Sequence, residues 1–149
     1  MTQTAGIFAT LDTLTARDLM RQGVETIHVG ASLREAVDRF LTGPSRHLIV
    51  VDEDGGCAGV LGPRHIAQAR YLDPRSDPDI PVRDLGSAPW IALGPDDDLR
   101  TCAQMLIEHD LDAIPVLDAQ RRVLGLITAH DVARAVADTP RSTRPRWEE

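Results

Sequence analysis

Hydrophobic residues fall into the same rhythm twice along this chain. Leu33, Ala36, Val37, Phe40 and Leu41 recur at the spacing of one helix face, behind a Ser32-x-x-Glu35 capping box. Gly43-Pro44 stops that helix. Residues 47–51, His-Leu-Ile-Val-Val, read as an apolar strand; an Asp- and Gly-rich turn follows, and residues 57–61 return as a second strand. Pro63 fits the first position of a helix running to about Tyr71. Upstream, residues 15–20 read as a short helical turn and residues 25–29 as a strand ended by Gly30.

After a linker dense in Pro and Asp, the pattern begins again. Leu99, Cys102, Ala103, Leu106 and Ile107 repeat the first helix face, each displaced by 66 residues. Gly125-Leu126-Ile127 follows Gly59-Val60-Leu61 at the same offset, and Val132-Ala133 follows Ile66-Ala67. One offset held across two strands and two helices marks an internal duplication. Near the first strand of each copy the register slips by about two residues, so that residues 88–93 align with residues 24–29. Each copy reads strand–helix–strand–strand–helix, too small to cover its own sheet. The expectation is an α/β (α+β-like) fold of two repeats packed sheet to sheet, with pseudo-twofold symmetry and a cleft between them. Its parts are an N-terminal arm (1–14), a first repeat (15–71), a linker (72–80), a second repeat (81–138) and a C-terminal tail (139–149). The tail lacks periodicity and is locally basic.

Composition narrows the function classes. Apolar residues make up 42% and aromatics only 3% of the 149 residues, so the core rests on Leu, Ile, Val and Ala. A net charge of −7 argues against a general nucleic-acid or anionic-membrane binder. Every one of the 16 basic residues is Arg, which excludes Schiff-base and P-loop lysine chemistry. No secretory signal and no membrane-length apolar run is visible, and a cytoplasmic location is expected. Cys57 and Cys102 read as reduced, packed thiols, the latter on a core helix face. His28, His47, His65, His109 and His130 lack metal-ligand spacing, and Arg46-His47 and His109 read as polar residues at element ends. No base–nucleophile grouping suggests an enzyme, so neither catalytic nor metal-ligating residues are assigned.

The chemistry concentrates where the last strand meets the last helix. Thr128 stands at the helix cap and Asp131 three residues on, so a hydroxyl, a carboxylate and a positive helix end converge. Two readings stand side by side. The pair is a capping box with Asp in place of Glu, or it holds a phosphorylated ribose. The first copy supplies a control: Gly62-Pro63-Arg64-His65 starts the corresponding helix without hydroxyl or carboxylate.

The duplicated unit, with Ala113-Ile114-Pro115-Val116-Leu117-Asp118 on one strand and Gly125-Leu126-Ile127-Thr128-Ala129-His130-Asp131 at the last helix, resembles the cystathionine-β-synthase (CBS) domain. The resemblance covers residues 14–138 and is to a stand-alone tandem pair, the Bateman-type module. It implies a non-enzymatic regulatory module that binds an adenosine derivative (AMP, ADP, ATP or S-adenosylmethionine) in the inter-repeat cleft and needs no cofactor. By the same resemblance Asp131 takes the ribose hydroxyls, Thr128 faces phosphate, and His130 lies beside them. Ala113, Ile114 and Pro115 wall the adenine, with Ala88, Pro89 and Trp90 closing the other side. Arg64, at the position matching His130, is a second phosphate contact. One ribose-type site is expected rather than two, because His65 stands where Asp131 does. The resemblance also implies a homodimer. The alternative is a ligand-free dimerisation or protein-interaction module.

Overall fold

Short apolar strands framed by capped helices build both halves of the molecule. The computed structural model describes residues 11–72, 77–85 and 91–139. The first half holds α1 (Ala16–Leu19), β1 (Thr26–His28), α2 (Leu33–Thr42), β2 (Leu48–Val51), β3 (Cys57–Leu61) and α3 (Pro63–Leu72). The second holds a 3-10 turn (Val82–Asp84), α4 (Leu99–Glu108), β4 (Ala113–Leu117), β5 (Val123–Thr128) and α5 (Ala129–Asp138). The Ser32 hydroxyl accepts from the Glu35 N–H at 3.1 Å, and at the matching position Asp98 accepts from Thr101 at 2.7 Å. These caps satisfy backbone donors that the first helical turn leaves unpaired.

The first sheet runs β1-β2-β3, β1 parallel and β3 antiparallel to β2. In the second, β4 and β5 pair antiparallel, and both hairpins carry a bulge at matching residues, Val50/Val51 and Val116/Leu117. The first strand of the second repeat is represented by a parallel bridge from Leu93 to Val116. That bridge corrects the expected slip in register. Leu93 stands to Val116 as Ile27 stands to Val50, so the 66-residue offset holds here too. Hydrogen-bond partners fix this alignment, which letter-by-letter matching of a short segment misses.

Three apolar clusters hold the layers together. Ile27, Ala36, Leu48, Val50 and Leu61 join the first sheet to its helices. Cys102, Leu106, Ile114, Val116 and Ile127 do the same in the second half. Between the sheets lie Ile49, Cys57, Ala113, Leu117 and Leu126, contributed by both repeats. Alternate residues of each short strand therefore serve two cores, which explains strands apolar on both faces, such as the fully buried run of β4. The end of the helix face departs from expectation. Leu41 and Ile107, the matching last positions, are 80% and 78% exposed. Periodicity marks an apolar face without saying whether the same chain covers it.

The segment that opens each repeat packs on the other repeat. Ala16 N–H donates to Asp97 and Arg17 N–H to Pro95, while Leu99 N–H donates to Leu14. The matching three bonds run from Val82 to Ala31, Arg83 to Val29 and Leu33 to Ile80. Each bond maps onto its counterpart when 66 is added to one partner and subtracted from the other. This reciprocal exchange is the pseudo-twofold symmetry in hydrogen bonds.

Candidate functional site

Because α1 crosses to the second repeat, residues some 110 positions from α5 stand against its first turn. The Arg21 backbone pairs with Leu126 in both directions, at 2.9 and 3.0 Å. Gly125 permits this approach. A Cβ there would lie 2.7 Å from the Arg21 carbonyl oxygen and 2.8 Å from the Met20 sulfur. Arg21 is thus anchored by its backbone while its side chain reaches past the end of β5.

At that end Thr128 is an extended N-cap, φ −110° and ψ 163°. Its hydroxyl accepts from the Asp131 N–H at 3.2 Å. Asp131 Oδ2 accepts from the Thr128 N–H and from its hydroxyl, both at 2.8 Å. Asp131 Oδ1 accepts from Arg21 Nε at 2.8 Å. Asp131 is the buried charged residue of the core, only 8% exposed, whereas the Arg21 side chain is 55% exposed. Burial pushes the Asp131 carboxyl up, but the Thr128 and Arg21 hydrogen bonds outweigh it and hold the group below the usual carboxylate range.

The related turn in the first repeat carries the same bond by other means. Gly62 N–H donates to His65 Nδ1 at 2.9 Å, the counterpart of Thr128 to Asp131. The control drawn from this turn is therefore only partial: the hydroxyl is gone, but a neutral imidazole still caps the backbone.

Beside Thr128 lies a cavity of about 670 Å³ between the repeats. Arg21 and Val24 enter it from the loop before β1, and Arg46 and His47 from the loop before β2. Asp112, Thr128, Ala129 and His130 supply the wall from the second repeat. His47 Nε2 lies 3.3 Å from Asp112 Oδ2, and Arg134 Nη2 lies 2.8 Å from His130 Nε2. The lining is net basic although the chain is acidic.

Thr128 and His130 thus come together at one cavity, with Asp131 just beneath it behind Arg21. Other expected members do not join them. Ala113, Ile114 and Pro115 are buried in β4 and contribute nothing to the lining. Arg64 sits at the related turn, 4.0 Å from Asp110. Ala88, Pro89 and Trp90 lie outside the described residues. Residues 44–47 line the cavity with the Thr128 turn, and Asp110 stands against the Arg64 turn. Arg21, Val24, Arg46 and His47 went unassigned because no local spacing ties them to Thr128.

Other chemistry is sparse among the described residues. No group of three or more His, Cys, Asp or Glu is placed to hold a metal, and no helix is long and apolar enough to cross a membrane. Burial pushes the Cys102 thiol up to about 11 and that of Cys57 in the same direction, which keeps both protonated at neutral pH.

Comparison with known proteins agrees with this architecture. Homoserine O-acetyltransferase of Methanococcoides burtonii is 30% identical over 119 residues, which are 80% of this chain and 23% of that protein. L-Aspartate semialdehyde sulfurtransferase of Methanocaldococcus jannaschii is 26% identical over 118 residues, 79% of this chain and 22% of that protein. The chain therefore spans less than a quarter of the length of these two curated relatives. Among solved structures, the CBS domain pair of protein MJ0100, in complex with 5′-methylthioadenosine and S-adenosyl-L-methionine, superposes with a TM-score of 0.73 at 22% identity. The match covers 84% of this chain and 97% of that one. CBSX2 in complex with AMP gives 0.72 at 22% identity, covering 83% and 96%. The CBS domain model itself matches residues 16–71 and 82–138, and with both repeats matched the chain belongs to the CBS domain family.

Proposed function

We propose that this chain is a regulatory module that binds an adenosine-containing ligand in the cleft beside Thr128, without turning it over. The observation that carries this reading is the cavity of about 670 Å³, large enough for a nucleotide and walled by both repeats. A carboxylate accepts from both hydroxyls of a ribose diol. The similar CBS pairs with AMP, S-adenosylmethionine and methylthioadenosine support the ligand class. A ligand that touches both repeats favours one relative arrangement of them, and a partner protein reads the difference. Calorimetric titration with AMP, ATP, S-adenosylmethionine and NAD tests the proposal. Binding at or below about millimolar is expected, abolished by Asp131→Ala; no binding, or binding that survives the substitution, overturns it.

A second reading rests on Leu41, Ile107 and Val136, which leave apolar surface exposed on α2, α4 and α5. They fit association with a second copy, and a module whose product is the dimer itself. Sedimentation of the Leu41→Glu/Ile107→Glu double variant checks this: loss of dimer with retained secondary structure by circular dichroism is expected, and a variant that stays dimeric overturns it.

A further inference from the structure

Asp131 already accepts three hydrogen bonds. Its Oδ2 is held by the Thr128 N–H and hydroxyl, and its Oδ1, the oxygen left for a sugar diol, is covered by Arg21 Nε at 2.8 Å. The Arg21 backbone cannot leave, because it is paired on both sides with Leu126 and seated on Gly125. The side chain can move, because it is half-exposed and already borders the cavity. We infer that Arg21 is a displaceable counter-ion that makes this cleft select phosphate-bearing adenosine ligands over neutral or cationic ones.

The inference rests on the ligand-binding reading of the cleft and adds to it a choice among ligands. A ribose diol that takes both acceptor sites of Oδ1 releases the Arg21 guanidinium into the cavity. There it meets Arg46, with His47 and His130 on the same walls; the facing carboxylate, Asp112, already contacts His47. A nucleoside leaves the released cation without a partner in a basic cavity, and a sulfonium adds to the repulsion. A nucleoside phosphate supplies both halves of the exchange, since its diol replaces Arg21 on Asp131 and its phosphate receives the guanidinium. Guanidinium donors match phosphate oxygens in pairs, so the released group gains as many hydrogen bonds as it gives up.

Affinities of AMP, adenosine and S-adenosylmethionine for wild type, Arg21→Gln and Arg21→Lys test this by calorimetry at low salt. Wild type is expected to favour AMP over both others by at least tenfold, about 1.4 kcal/mol. Arg21→Gln should bring the AMP-to-adenosine ratio near one, through weaker AMP and tighter adenosine binding. Arg21→Lys, which keeps a charge, should hold AMP ahead, and it decides the matter if the Gln variant does not fold. Adenosine binding to wild type as tightly as AMP, or an unchanged ratio in Arg21→Gln, overturns the role of Arg21 while the ligand site stands. Failure of all three compounds to bind wild type overturns both.

Discussion

The two strand-to-helix turns, Gly62 to His65 and Thr128 to Asp131, solve one problem with different chemistry. Each helix needs an acceptor for the backbone N–H of the residue just before it, and the side chain three residues on supplies it. An imidazole nitrogen suffices in the first repeat, and a carboxylate oxygen serves in the second. A neutral imidazole then has no further acceptor, whereas the carboxylate has a whole oxygen left, and Arg21 uses it. The difference separates what the fold requires from what it can spare. Capping is common to both turns; of the two, only the second has a surplus oxygen with a cation on it.

Three experiments test this division of roles between the two turns. The largest effect is expected from Gly125→Ala, which drives a methyl group into the Arg21 carbonyl and so undocks the segment that brings the cation to Asp131. Overpacking against backbone costs about 3 kcal/mol, readable as a shift of the urea midpoint at constant slope.

Next come the paired truncations Asp131→Ala and His65→Ala. Losing the second-repeat cap together with a partly screened charge contact should cost about 2 kcal/mol, and losing the imidazole cap about 1 kcal/mol. Equal losses in chemical denaturation would mean that the Arg21 contact adds nothing to the cap.

The smallest effect is in the pH dependence. The Asp131 carboxyl is held below its ordinary value in the folded chain, so its contribution is present above the unfolded carboxylate value, about 3.9, and fades as pH falls through the folded one. Asp131→Asn should therefore flatten the acid limb of the stability curve.

Much of the architecture was legible in residue order because duplication amplifies weak signals. The helix faces behind Ser32 and Asp98, the strand at residues 57–61 and the turn at Thr128 all follow from local spacing, and the constant offset ties them into two repeats. The site was legible only where it is local. Thr128, His130 and Asp131 lie within one turn of helix and share a cavity edge or its floor. Arg21, Arg46 and His47 reach them through the crossing of α1 and the packing of two sheets, contacts between residues far apart in sequence. Ala113 to Pro115, an apolar strand next to a motif, are buried between two cores and lie off this cavity's lining. The exposed ends of α2 and α4 show the same limit, since an amphipathic pattern records an apolar face and not its occupant.

The reciprocal crossing also sets an order of events during synthesis. Helix α1 leaves the ribosome first, but the surface it docks on is finished only when β5 and α5 have emerged, with Arg21 waiting for Asp131 across 110 residues. At a translation rate of about 10 residues per second, that is on the order of ten seconds without its native partner. The first repeat must likewise wait for Val82 before its own core is complete. Neither half is therefore a self-sufficient folding unit, and a fragment ending in the linker carries an undocked α1 and lacks the segment that closes its core. High contact order of this kind slows the final step of folding and couples the two repeats into one cooperative transition.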